Sequence, residues 1–253
     1  MNKVALVRPP GPRLAEGLVT HLDRRPVDLD LARRQWEAYT AAMEAEGWDL
    51  VEVPPADDCP DAVFVEDTVV VYGDLAVITR PGADQRKPET MGTEKALLDL
   101  GYRIAHIEAP GTLDGGDVLK HGGRVWVGVG GRTNAEGAGQ LAVHLAPLGA
   151  EVEAVPVSKV LHLKSAVTAL PDGTVVGYEP LVDDPSAWPR FLAVPEEGGA
   201  HVVLLDGGTV LMSTSAPRTK ELFESRGLRV VAVDISEYEK LEGCVTCLSV
   251  RLR

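Results

Sequence analysis

Cys247 is the residue best suited to covalent chemistry in this chain. It sits in Gly243-Cys244-Val245-Thr246-Cys247-Leu248-Ser249-Val250-Arg251-Leu252, an apolar and β-branched run that reads as a buried strand. A cysteine attacks carbon only as a thiolate, so the rest of the chain must supply an acid/base group and a pocket. His162, opening His162-Leu163-Lys164-Ser165, offers the imidazole, and Asp67 and Asp114 offer carboxylates. One thiol, one imidazole and several acids, with no further histidine or cysteine in a metal-ligand spacing, suit attack on a cationic carbon. No metal or cofactor is expected. A guanidinium is planar, permanently charged and recognised by carboxylates through paired hydrogen bonds, so Asp67 and Asp114 facing one pocket predict a guanidino substrate. Cys247 would attack the guanidinium carbon, and His162 would protonate the leaving amine and then activate water.

These residues are far apart in sequence, so the elements between them must bring them together. A two-strand unit with a polar turn recurs roughly every 45 to 50 residues: Phe64 to Thr79, Leu113 to Val129, His162 to Tyr178 and His201 to Met212. A fifth is split between the chain ends, Val245 to Leu252 with Lys3 to Arg8. Helical patterns span Asp30 to Glu46, Pro88 to Leu100, Asn134 to Leu148 and Thr219 to Arg226. Each is followed by a glycine stop, at Gly47, Gly101, Gly149 and Gly227. Short strands come next: Leu50 to Val53, Arg103 to Ile107, Val152 to Val157 and Arg229 to Val233. The least regular stretch is Glu179 to Gly199, with Pro180, Pro185, Pro189 and Pro195, which reads as a linker.

Such ββαβ units cannot each bury their own faces, and five of them should close into a ring, an α/β five-bladed propeller with its chain ends in one blade. The polar starts of the first strands, Phe64-Val65-Glu66-Asp67, Leu113-Asp114-Gly115-Gly116-Asp117, His162-Leu163-Lys164-Ser165 and the Cys247 segment, would then share a central site. One catalytic domain over residues 1–253 is the expectation.

Composition narrows the partners. A net charge of −13 argues against nucleic acid and anionic membrane surfaces, and favours a cationic small molecule. The first apolar run, Lys3 to Val7, is too short for a membrane span. Three cysteines, Cys59, Cys244 and Cys247, form no disulfide framework, which fits a reducing, cytoplasmic setting. Cys244-x-x-Cys247 resembles a redox or zinc pair, but on a strand the two side chains would point to opposite faces, so Cys244 reads as core and Cys59 as incidental.

The motifs Phe64-Val65-Glu66-Asp67, Leu113-Asp114-Gly115-Gly116-Asp117-Val118, Arg132-Thr133-Asn134, His162-Leu163-Lys164-Ser165 and Thr246-Cys247-x-Ser249 together resemble the dimethylarginine dimethylaminohydrolase family, within the guanidino-group modifying (pentein) superfamily. The resemblance runs nearly the whole chain. It implies a five-module α/β propeller that hydrolyses Nω-methylated arginines to citrulline and methylamines through a covalent cysteine adduct. By the same resemblance Cys247 matches the nucleophile, His162 the acid/base and Asp114 the third catalytic carboxylate. Asp61 and Asp67 match substrate-binding acids, with Glu66 as a supporting one. Arg86 and Arg132 match the pair that holds the substrate α-carboxylate. Leu18 falls in a lid loop, Gly11 to Thr20, and Leu241 is placed to offer a backbone carbonyl. A homodimer is left open.

Two other readings stand beside this one. A related hydrolase could act on free arginine, agmatine or another guanidino compound, although Arg86 and Arg132 favour an amino-acid carboxylate. A catalytically silent binding protein for arginine derivatives would have lost the thiol or the imidazole, and both are present.

Overall fold

The computed structural model describes residues 3–252 and arranges them in five three-stranded sheets. Strand β1 (Lys3–Val7) leads through helix α1 (Leu29–Ala45) to β2 (Trp48–Glu52). The second sheet has the hairpin β3 (Val69–Tyr72) and β4 (Leu75–Ile78), the crossover helix α2 (Thr90–Asp99) and β5 (Arg103–His106). The third repeats it with β6 (Val118–His121), β7 (Arg124–Val129), α3 (Ala135–Leu145) and β8 (Glu151–Pro156). A single helical turn, α4 (Leu163–Ala166), introduces β9 (Val167–Ala169), β10 (Val175–Gly177) and β11 (Phe191–Ala193). The fifth sheet has β12 (Val203–Leu204), β13 (Thr209–Ser213), α5 (Pro217–Ser225) and β14 (Arg229–Val233), and the chain returns through α6 (Ser236–Glu239) to β15 (Val250–Leu252). In every sheet the central strand is antiparallel to one neighbour and parallel to the other. The first sheet joins the chain ends, with Leu6 opposite Val250 and Val4 opposite Leu252, so the expected ββαβ ring with a split blade is the observed one.

Local chemistry explains the crossovers. Asp28 caps α1 by accepting from the Leu31 N–H, Asn134 caps α3 by accepting from the Gly137 N–H at 2.8 Å, and Pro217 opens α5 where its missing N–H costs nothing. Gly47, Gly101, Gly149 and Gly227 have φ of +79°, +83°, +77° and +83°, the left-handed stop that favours glycine. Apolar helix faces then pack on their sheets, as Leu141 and Leu145 do against Val125 and Val127, and Phe223 against Val210 and Met212.

The structure corrects three expectations. Glu179 to Gly199 is not a linker: it holds the crossover and third strand of the fourth sheet. Its prolines confine the crossover to 3-10 turns at Glu179–Leu181 and Pro185–Ala187 before β11 pairs with β10. The polar starts of the first strands are not strand either. Val65–Thr68 and Gly115–Asp117 are 3-10 turns, and Leu163–Ala166 is helical. There the Asp67 and Asp117 carboxylates take the N–H groups of Gly116 and Leu163, competing with strand pairing for them. Finally, residues 245–248 form a turn rather than the first half of a strand. The Cys247 N–H donates to the Cys244 carbonyl at 3.1 Å, and the Cys247 carbonyl accepts from Glu66 N–H at 3.2 Å.

Candidate active site

Those turns converge. Cys247, His162, Asp67, Asp61, Arg86, Arg132, Leu18 and Leu241 all line one small cavity, together with Phe64, Leu161, Glu242 and Gly243. They come from loops at the ends of several sheets: Asp61, Asp67 and Arg86 from around the second, Arg132 from after β7 of the third, His162 from before the fourth, and Leu241 and Cys247 from before β15 of the first, so the ring does the positioning that sequence distance could not.

His162 is held at both ring nitrogens. Nε2 lies 3.0 Å from Asp114 Oδ2 and Nδ1 3.8 Å from Asp67 Oδ1, with all three side chains buried. Burial alone would lower the imidazole pKa, but Asp67, Asp117 and Asp114 together overcome it and raise it to about 9. The resting group is therefore an imidazolium. Asp114 is fixed in turn: Gly82 N–H donates to its Oδ1 at 2.8 Å, and its own N–H donates to Thr133 Oγ1. Thr133 donates to Asp117 at 2.6 Å. Asp67 accepts from Gly116 N–H at 2.8 Å and from Arg86 Nη1 at 2.7 Å. Burial opposes its charge, yet His162 and Arg86 hold it well below the usual carboxylate range. Gly116 has no room for a side chain, since a Cβ would stand 2.6 Å from Asp67 and 2.7 Å from His162. The donor atoms of Asp67, Asp114 and His162 lie within 4.8 Å of one another, a spacing open to a cation. Here the carboxylates accept from Arg86 and two backbone amides.

Cys247 is buried, and its Sγ lies 3.3 Å from Cys244 Sγ. The hydrogen bond between the sulfurs pushes the Cys247 thiol up, and burial and the carboxylates of Glu66 and Asp67 push it the same way. A neutral thiol beside an imidazolium is the state the free protein favours.

The remaining expected residues divide. Asp61 accepts from the Leu18 N–H at 3.0 Å, tying the lid loop to the cavity wall, and burial raises its pKa. Arg132 has a buried Nη1 without a hydrogen-bond partner among the described residues, 3.8 Å from Asp114. Arg86 lines the cavity but is already engaged with Asp67, with Glu89 at 2.8 Å and with the carbonyls of Asp61 and Phe64. Glu66, expected as a supporting acid, lies outside this cavity: it pairs with Lys164 at 2.6 Å and Arg251 at 2.8 Å and accepts from Thr246. Neighbouring residues on a 3-10 turn diverge, which sends Asp67 inward and Glu66 to the other side.

Glu242 went unforeseen. It takes a left-handed φ of 61° and accepts from the N–H groups of Thr20, His21 and Leu22, which ties that loop to the cavity wall. Nothing in the sequence marks it, because its partners lie some two hundred and twenty residues away.

The raised His162 pKa has a stability consequence. With an ordinary value of 6.5 in the unfolded chain and about 9 when folded, the imidazolium stabilises fully below pH 6.5, and that contribution is lost as pH rises through 9. At its limit it is roughly 3 kcal/mol. Thermal unfolding should show wild type losing its advantage over His162→Ala between those values. A gap that is flat or widens over the same range would mean that the acids do not hold the proton.

No family model matches the chain. Over 252 residues it is 64% identical to N(G),N(G)-dimethylarginine dimethylaminohydrolase of Streptomyces coelicolor, covering 100% of this chain and 98% of the relative. The protein of the same name from Pseudomonas aeruginosa is 35% identical over 254 residues, covering 99% and 100%. A solved structure of a cysteine-to-serine mutant of the Pseudomonas aeruginosa protein, complexed with citrulline, has a TM-score of 0.92 at 35% identity and covers 100% of both chains.

Proposed function

This chain belongs to the dimethylarginine dimethylaminohydrolase family, and from that premise we propose that it hydrolyses Nω-methylated L-arginines to L-citrulline and dimethylamine or methylamine. One observation carries the reading to these residues: the Cys247 thiol and an imidazolium clamped by carboxylates line the same cavity. The substrate guanidinium enters against Asp67 and Asp61, and its positive charge favours loss of the thiol proton to solvent, since His162 is already protonated. Cys247 sulfur then adds to the guanidinium carbon, and the carbon–nitrogen bond to the methylated amine breaks as His162 delivers its proton to that nitrogen. The neutral imidazole next takes a proton from water. The resulting hydroxide adds to the thiouronium carbon, and the carbon–sulfur bond breaks to leave citrulline. Asp114 acts through His162, holding Nε2 and its charge. Leu241 lines the wall where a backbone carbonyl is useful, and Leu18 closes the mouth.

Arg132, with its open Nη1, is the first choice for the substrate α-carboxylate, and Arg86 chiefly supports Asp67 while lining the same wall. The expected result for Arg132→Ala is a KM for dimethylarginine raised roughly tenfold or more with a smaller change in kcat, since a charge-assisted pair is worth about 1.5–3 kcal/mol. A guanidine without the carboxylate should not feel the change. Citrulline release from dimethylarginine, monomethylarginine and arginine by the purified chain tests the function itself, and activity on arginine alone would favour the reading as a related hydrolase of free arginine.

All five sheets serve one catalytic unit. Three free thiols favour a reducing, cytoplasmic setting, and no helix among the described residues is long and apolar enough to cross a membrane. Sedimentation of the purified chain decides between a single chain and a homodimer.

A further inference from the structure

Cys244 has no part in the chemistry above, yet the fold brings it to the nucleophile. The strand reading sent Cys244 and Cys247 to opposite faces, but residues 245–248 are a turn, and the bond from Cys247 N–H to the Cys244 carbonyl closes it at 3.1 Å. A turn of that kind keeps the two Cα atoms within about 7 Å, and disulfides span about 4.4–6.8 Å. The sulfurs are 3.3 Å apart, so a movement of about 1.3 Å takes them to the roughly 2 Å of a disulfide bond. Cys244 is buried against Thr246 Oγ1 at 3.3 Å, whereas Cys247 faces the cavity. The third thiol, Cys59, lies elsewhere, beside the Gln85 carbonyl.

We propose that Cys244 and Cys247 form a reversible dithiol–disulfide site that reacts with hydroperoxides, with Cys247 the attacking sulfur and Cys244 the resolving one. Cys247 thiolate attacks one peroxide oxygen. The oxygen–oxygen bond breaks, hydroxide leaves and takes a proton, and Cys247 becomes a sulfenic acid. Cys244 sulfur then attacks Cys247 sulfur, the sulfur–oxygen bond breaks, and the departing hydroxide takes the Cys244 proton. Two thiols and one hydrogen peroxide give one disulfide and two waters, and an added dithiol reverses this by being oxidised to its own disulfide. The hydrogen bond shared by the sulfurs lowers the Cys244 pKa and raises that of Cys247; across the 3.3 Å between them one proton serves both sulfurs, and its transfer to Cys244 leaves the attacking thiolate on Cys247, the sulfur that faces the cavity. The bond removes the nucleophile while sparing it the irreversible sulfinic and sulfonic states. That the bond switches off turnover rests on the function proposed above; its formation does not.

The test treats the full chain with a small excess of hydrogen peroxide and reads mass and activity separately. The intact chain should lose the mass of two hydrogens, and the peptide carrying both cysteines should resist alkylation. Citrulline formation should fall roughly tenfold or more and return to its starting value with dithiothreitol. Cys244→Ser should keep its activity in reducing buffer, but after the same peroxide treatment should carry two or three added oxygens on Cys247, the sulfinic and sulfonic states, and stay inactive with dithiothreitol. Should that variant fold poorly, the wild-type peptide decides. Oxygen added to Cys247 of the wild type without loss of hydrogens, a bridge to Cys59, or equal recovery of Cys244→Ser would each overturn the proposal. If no citrulline forms under any condition, the function fails while the mass still reports the bridge.

Discussion

Cys247→Ser should form no citrulline above background, a loss of roughly 10³-fold or more, while still binding dimethylarginine. An alcohol is a far poorer nucleophile than a thiol, and the carboxylates near this position, which already push the thiol up, would hold a serine hydroxyl protonated more firmly still. The fold has little reason to change. Serine differs from cysteine by one atom, and the two bonds that shape the turn, to the Cys244 carbonyl and from the Glu66 N–H, belong to the backbone. Binding should persist because the groups assigned to the guanidinium and the carboxylate, Asp67, Asp61 and Arg132, are held by partners other than the sulfur. Calorimetry with dimethylarginine should thus give an affinity within a few-fold of wild type. Measurable citrulline from this variant would remove Cys247 from its role.

The ring was legible because its signal is periodic. Hairpin, helix, glycine stop and strand recur, and the glycines at positions 47, 101, 149 and 227 occupy the left-handed conformation their place implies. The converging site followed from the same repeat, since equivalent positions in a closed ring meet. What could not be read is the conformation at the very points that do chemistry. Glu66 to Thr68, Gly115 to Asp117 and Val245 to Leu248 carry β-branched or apolar neighbours and read as strand, but they bond to one another instead of pairing as strands: Gly116 N–H donates to the Asp67 carboxylate and Glu66 N–H to the Cys247 carbonyl. Propensity loses there to tertiary hydrogen bonding. That shift had one large consequence, because it moved Cys244 from the far face to within reach of Cys247. The hold of Glu242 on the loop at Thr20 to Leu22 depends on side-chain reach over some two hundred and twenty residues, which no local pattern encodes, whereas the engagement of Arg86 lies within one module, with Glu89 three residues on and Asp67 nineteen back.

His162→Gly should also stop turnover, by about 10²–10⁴-fold for the lost acid/base function, but at a different step, and the difference is measurable. Without the imidazolium, a methylated amine has no proton donor as its bond to carbon breaks, so dimethylarginine should bind and go no further. A substrate analogue whose leaving group departs as a thiol needs no such proton. An S-alkylthiocitrulline should therefore still transfer its carbon to Cys247 and then stall, because no neutral imidazole is present to activate water. Acid quench and mass spectrometry should find that adduct accumulating on the peptide with Cys247 in the variant and turning over in wild type. The acids around the site sharpen the expectation. Asp67, Asp114 and Asp117 are all buried, and Asp117 is already raised to about 6 by burial. His162 holds the pKa values of Asp67 and Asp117 down, so without it these two take up protons rather than deliver them to substrate. Added imidazole should restore part of the rate on dimethylarginine if space alone was created. An adduct that releases citrulline from the variant as fast as from wild type would show that another group activates the water.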